Sequence, residues 1–305
     1  MGIKIPDLTE RTPVATDHVV LESGTSGTSK CTVAALVSAA LLAMGVAGIS
    51  DAKGAEFHNC LFRGKDLLAE FGTLEALSAK VQSGDFSNIY VGDYITKSIV
   101  VDDVTYNLTF RVADIDYFVH NGDQELTTHH LVLVPDEVFM TNQVIMNDSN
   151  TTTGGFLGSK AWTTVIPKIT SALQTAFGSA HVLKHRRYLT STVDANAASA
   201  AGAGFVGSAT ACTWADAYAC FMNEVMAYGS TAFSSSGRDV SDGNKQFALF
   251  RIAKFFLSKP RLNWWLSSVA SSTLFALCGN NGLAGCDTAV NAYGWLGVRP
   301  YFLFS

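Results

Sequence analysis

Charge is scarce in this chain. Only 15% of its 305 residues are Asp, Glu, Lys or Arg, where a soluble domain carries roughly a quarter. With 48% of the residues hydrophobic, the surface must be built from Ser, Thr, Asn and Gly or be covered by neighbours. Both conditions are common in secreted proteins and in subunits of large assemblies. Positive charge is scarcer still, and 21 Lys and Arg against 26 Asp and Glu leave a net charge of −5. Without a basic patch to displace counterions, no nucleic-acid partner is expected. His185–Arg186–Arg187 is the one basic cluster, and it reads as a solvated face.

The usual marks of metal and covalent chemistry are also missing. Cys31, Cys60, Cys212, Cys220, Cys278 and Cys286 form neither CxxC pairs nor zinc spacing. Bridges Cys212–Cys220 and Cys278–Cys286 stay open, with free, buried thiols as the default. His129 and His130 are successive residues beside a strand, so they face opposite ways and read as surface polar groups. His181 and His185 have the spacing of a helical metal pair but no third ligand nearby. Asp114 and Asp116 share one side of a strand and could bind a cation; structural hydrogen bonding is the preferred role. No metal, cofactor or catalytic residue is therefore expected. Met1 opens a polar segment without a basic n-region, so no export signal is read and synthesis in a cytoplasm is expected.

What the chain does have is an aromatic end. Asn263–Val269 (Asn-Trp-Trp-Leu-Ser-Ser-Val) reads as one strand and Val298–Phe304 (Val-Arg-Pro-Tyr-Phe-Leu-Phe) as another. Adjacent Trp residues point to opposite faces of a strand, so at least one of Trp264 and Trp265 belongs in the core. Pro300 is limited to an edge or to the first position of its strand. Between them lie the turn-rich pieces Cys278–Gly282 and Gly285–Asp287, which suggests an exposed loop displayed on a rigid base. The loops at 191–212, 229–244 and 278–292 are rich in Asn, Ser, Gly and Tyr, a composition suited to adaptable polar contacts. Asn280, Asn281, Tyr293 and Trp295 are the binding candidates, with the two aromatics as anchors. Arg299 stands out in so apolar a strand. Buried, it would need a carboxylate such as Asp114, Asp216 or Glu224.

Taken in order, the chain begins with a short strand and a Gly/Ser/Thr hairpin across Asp17–Lys30, with Ser29 or Thr32 as a helix cap. Cys31–Ile49 then runs without a charge. A membrane span is conceivable on length alone, but the stretch is rich in Ala, Ser and Gly and has no aromatic or basic anchors framing its far side. Val33, Leu36, Val37, Leu41 and Met44, with Ala40, form the stripe of a helix that packs on other helices, and copies of the chain are the expected partners. Residues 51–84 read as a helical connector. From Phe86 the period becomes two: Ile89–Thr96, Ser98–Val101, Tyr106–Val112 and Leu131–Val134 read as strands, with a hairpin turn at Asp102–Asp103. A loop at 149–160 precedes a helix over Thr164–Phe177 that has Pro167 in its first turn and Gly178 at its end. Asp194–Gly207 reads as an exposed loop, and Trp214–Val225 as strand-like.

Two stretches resemble known families. Ile5, Asp7, Leu8, Glu10, Thr16, Asp17, Val19, Val20, Lys30, Thr32, Val33 and Leu36 follow the order of the short N-terminal module of phage tail-spike and fibre proteins. That likeness implies attachment to the particle. Over roughly 85–305 the chain is similar to phage-borne C-type-lectin-like domains related to formylglycine-generating-enzyme and tropism-determinant folds. The matching motifs are Gly92–Asp93–Tyr94, Arg111–Val112–Ala113–Asp114, Gly154–Gly155–Phe156, Trp214, Asp216, Met222, Glu224, Gln246–Phe247, Phe250, Trp265–Leu266 and Val298–Arg299–Pro300. Ser267 stands where that family more often has Arg.

The resemblance implies an α+β fold, a C-type-lectin-like mixed sheet with flanking helices and long loops, preceded by a strand-plus-helix docking module. The expected division is 1–48 for docking and oligomerisation, 49–84 as connector and 85–305 as the lectin-like domain. Trp264, Trp265, Arg299, Asp114 and Trp214 are its structural residues. The sugar-binding C-type lectins use Glu/Asn–Pro–Asn/Asp calcium ligands, and no such triplet occurs, so glycan binding would be metal-independent. The expectation is a non-enzymatic phage virion protein, a fibre or decoration-type appendage. Its partners would be other virion proteins, further copies of itself (a trimer by preference) and a host-surface glycan or protein, with no membrane partner. The alternatives are a formylglycine-generating-type oxidase using Cys278 and Cys286, and a bacterial surface adhesin.

Overall fold

The computed structural model describes residues 18–23, 27–32, 64–194, 209–234 and 245–305. The chain divides into two compact units, Met1–Leu61 and Phe62–Ser305. In the first, β1 (His18–Ser23) and β2 (Gly27–Thr32) form the expected antiparallel hairpin, running from His18 opposite Thr32 to Ser23 opposite Gly27. Ser29 pairs with Leu21 inside β2, so its backbone belongs to a strand. The uncharged run with Val33, Leu36, Val37, Leu41 and Met44 lies outside the described residues, as do nearly all of 194–207 and most of 229–244.

The second unit is a mixed α+β body in which strands dominate. It opens with α1 (Leu67–Phe71) and α2 (Leu74–Gln82), capped by Asp66 and Thr73, whose side-chain oxygens accept from Leu68 N and Ala76 N. Leu67, Leu77 and Val81 are completely buried in the same core as the strands. The division of the chain therefore falls ahead of these helices and not near residue 85, because their apolar faces belong to this core.

There follow β3 (Tyr94–Val101), β4 (Val104–Ile115) and β5 (Leu131–Pro135), then α3 (Ile166–Phe177), which a π-helical turn over Ala161–Val165 introduces. Next come β6 (Val182–Leu183), β7 (His185–Val193), β8 (Ala209–Ala217), β9 (Ala219–Phe221) and α4 (Glu224–Tyr228). The last third holds α5 (Ala248–Ile252), α6 (Phe255–Ser258), β10 (Asn263–Val269), β11 (Leu274–Cys278), β12 (Ala284–Thr288), β13 (Leu296–Gly297) and β14 (Pro300–Phe304).

The main sheet has the order β3-β4-β5-β14-β6, with β9 also pairing with β14. Asp102 and Asp103 have φ of 48° and 61°, the two positive values that a type I′ hairpin turn needs. On the edge strand β3, Ile95, Ile99 and Val101 are buried while Thr96, Ser98 and Val100 are exposed, as a half-covered strand requires. The central strands β5 and β14 are buried at every residue. Pro300 is the first residue of β14, which spares the ladder its missing donor. Phe177, from the end of α3, packs against Phe110 and Phe302 of the sheet, and Gly178 ends the helix at φ 88°.

A second sheet has the order β12-β11-β10-β13, and β7 and β8 form a separate ribbon. Both tryptophans of β10 are completely buried, so both of its faces are covered. Trp264 Nε1 donates to Leu257 O at 3.4 Å and Trp265 Nε1 to Val144 O at 3.2 Å. Two expectations change here. The span between the Trp strand and the closing strand is largely a hairpin of β11 and β12, since Phe275 and Leu277 find core to cover. The strand-like reading of Trp214–Val225 fails beyond β9, where Asn223 accepts from Met226 N and starts α4.

Candidate binding surface

The four loop candidates come together at one end of the second sheet, through a residue that the sequence did not single out. β10 runs parallel to β13 and antiparallel to β11, so the start of β10, the approach to β13 and the turn after β11 share that end. Asn263 stitches them. Its N–H donates to Trp295 O at 2.8 Å, and its Oδ1 accepts from Asn280 N at 2.7 Å. The turn is closed by Gly279 N to Leu283 O and Gly282 N to Gly279 O, both 2.8 Å, and Asn281 Oδ1 accepts from Leu283 N at 3.0 Å. Gly282 sits at φ 80° close against Leu257 and Ser258, where a side chain would crowd α6.

Tyr293 and Trp295 stack with ring centroids 4.7 Å apart and an interplanar angle of 9°. Their backbone is held, since Tyr293 O accepts from Asn142 N and Leu296 N. The two residues are 40% and 48% exposed, so the stack offers aromatic surface that the fold leaves uncovered. Leu283, at the tip of the neighbouring turn, is 66% exposed. A fixed backbone carrying exposed aromatic and amide side chains is an arrangement for contact.

The structural candidates separate into three roles. Arg299 is completely buried but bonds no carboxylate among the described residues. Its Nε donates to Pro135 O at 2.6 Å and its Nη1 to Phe256 O at 2.7 Å, and its Cζ lies 5.4 Å from the ring centres of Phe250 and Trp264. The proposed partners are engaged elsewhere. Asp114, turned by the bulge between Val112 and Asp114, accepts from Ala248 N at the start of α5. Glu224 accepts from Ala232, Phe233 and Ser234, and Asp216 pairs at the surface with Lys184 and Arg186. Trp214 is half-buried opposite Tyr188 and braces the β7–β8 ribbon, outside the core.

The basic cluster is not a solvated face. Arg187 is buried over the rings of Phe118 and Tyr301, Arg186 pairs with Asp123 and Asp216, and His185 is buried with Nε2 on Tyr301 OH at 3.0 Å. Burial holds the His185 ring well below its usual pKa, and Arg187 adds to that effect. His181 lies in a short 3₁₀ turn and His185 begins a strand, so the helical pairing does not form. His129 is partly exposed and bonds Asp116, whereas His130 is fully buried between Thr128 O and Phe118 N, and burial lowers its pKa. Among the described residues no group of three or more His, Cys, Asp or Glu is placed to hold a metal ion.

Cys278 and Cys286 are free thiols. Cys278 faces Ala284 and Cys286 faces Ala276 across the β11–β12 ladder. That diagonal offset spans about 7–8 Å between Cα atoms, beyond the reach of a disulfide. Burial pushes both thiols up to about 11.

No protein-family model, curated protein or solved structure matches the chain. A second feature of this end escaped the sequence reading. Five cations (Lys245, Arg251, Lys254, Lys259 and Arg261) stand between Asp242 and Asp287 with no carboxylate among them. Spread over turns and short helices, they form no run of adjacent charges.

Proposed function

We propose that this chain is a virion structural protein of a bacteriophage. It would be a fibre or decoration-type appendage in which residues 1–48 dock and oligomerise while a C-type-lectin-like body attaches the particle to a host surface. The observation that carries the reading is the loop end held by Asn263, where a stacked aromatic pair and an Asn–Asn turn stand exposed on a fixed backbone. The ordered motifs running from Gly92 to Pro300 support the lectin-like body, as do a sheet closed by β14 and a smaller sheet that carries the loops. The oxidase alternative gains no support from two protonated thiols held out of bonding distance, because a reactive cysteine needs a lowered pKa.

Two measurements test this reading. Deleting residues 1–48 is expected to remove the protein from purified particles, and undiminished incorporation would refute the docking role. Replacing Tyr293 and Trp295 together by Ala is expected to weaken adsorption to host cells roughly tenfold or more. Adsorption that does not change would rule out the aromatic pair as the attachment anchor.

A further inference from the structure

We infer that the rim running from α5 past α6 to the 279–283 turn docks onto an anionic lipid bilayer, lying on its surface without crossing it. This deepens the attachment reading and rests on it. Arg251, Lys254 and Arg261 are exposed and form no ion pair with any described carboxylate, while Lys259 reaches the buried Asp136. Asp114, close to Arg251, is buried and its oxygens are taken by backbone N–H groups. The rim is thus positive in a chain whose net charge is −5, which singles out a negatively charged partner.

The apolar side chains decide which kind. Ile252 is 57% exposed and Leu283 66%, and Phe255 stands beside Lys254 with half its surface in water. Gly282 packs on Leu257 and Ser258, so Leu283 stands next to α6, and Asn263 joins that turn to Trp295. Aliphatic tips interleaved with Lys and Arg match the interfacial region of a bilayer, where apolar groups enter the acyl boundary and cations meet phosphate headgroups. A sugar ring would use the flat aromatic faces but offers nothing to Ile252 and Leu283. An exposed apolar patch of this kind marks an interaction site. The sequence argues against a membrane span, and no described helix is long and apolar enough for one. Lying on a surface needs none.

The test is sedimentation of the full chain with phosphatidylglycerol-containing vesicles and with pure phosphatidylcholine vesicles. Binding is expected only to the anionic vesicles, and it should weaken as salt shortens the screening length. The triple variant Arg251→Gln, Lys254→Gln, Arg261→Gln should lose about fivefold per cation, near a hundredfold in all. The pair Ile252→Ser and Leu283→Ser should also lose binding while keeping the parent circular dichroism. No vesicle binding, equal binding to both vesicle types, or loss with neither variant set would each overturn the assignment. Capture by soluble dextran sulfate without vesicle binding would overturn it too, in favour of an acidic glycan. Host-cell adsorption of the Tyr293→Ala, Trp295→Ala protein stays a separate readout, so the general attachment reading can survive the loss of this one.

Discussion

Arg299 shows how a full charge can be housed without a directly bonded carboxylate among the described residues. Burial pushes its pKa down to about 10, so it is still a cation at neutral pH. Two carbonyls and two aromatic faces replace the carboxylate, and Nη2 makes no hydrogen bond with the described residues. Arg299→Ala should cost about 3–5 kcal/mol, because it leaves a cavity and two buried carbonyls unpaired. Arg299→Met fills the cavity and should lose only about 1–3 kcal/mol. Urea midpoints measure both, and a Met variant as stable as the parent would contradict the role given to the carbonyl bonds. The sequence announced that this residue was unusual but misjudged its partners. A carboxylate is visible in sequence, whereas the carbonyls of Pro135 and Phe256 become neighbours only once the sheet has formed.

The β1–β2 and β3–β4 hairpins were the most legible elements, because a turn and two period-two runs lie side by side in the chain. The Asp102–Asp103 turn is the clearest. Its second residue holds φ 61° with a side chain, a conformation that glycine adopts without the Cβ penalty. Asp103→Gly should therefore stabilise the protein by about 0.5 kcal/mol and leave the Lys168–Asp102 pair intact. A melting temperature lower than the parent's would count against the type I′ assignment. At Gly155, with φ 63°, an added Cβ would stand 2.3 Å from Thr190 O, so Gly155→Ala should destabilise markedly in the same assay. The short helices α4 to α6 were not legible, since one turn of helix carries no period of its own. The ribbon strand β7 was hidden by the charges at its start.

For the molecule as a whole, the buried histidines set an acid limit. His130 packs near Phe118, and Phe118 also touches His185, which has Arg187 and Tyr301 beside it. Both rings have folded pKa values below the ordinary 6.5. The unfolded chain therefore binds protons that the folded chain refuses. Their stabilising contribution is complete above about pH 7 and is lost as pH falls below 6.5, at no more than about 1.4 kcal/mol per pH unit for each ring. Asp93 and Asp114, whose carboxyls burial pushes upward, act in the opposite sense at the acidic end. Urea unfolding at pH 8, 6.5 and 5 should show the decline, and His185→Gln should flatten it. Equal stability at all three pH values would contradict the neutral state of these rings.

The place of β14 at the heart of the main sheet has a kinetic consequence. Arg299 meets Pro135 across 164 positions of chain, and β5 lacks one neighbour until that stretch exists. At ordinary translation rates of about 5–20 residues per second, its open edge waits on the order of ten seconds or more beside the ribosome. A nascent strand as apolar as Leu131–Pro135 is a template for wrong pairing during that interval, so the yield of this protein depends on what shields the unfinished sheet.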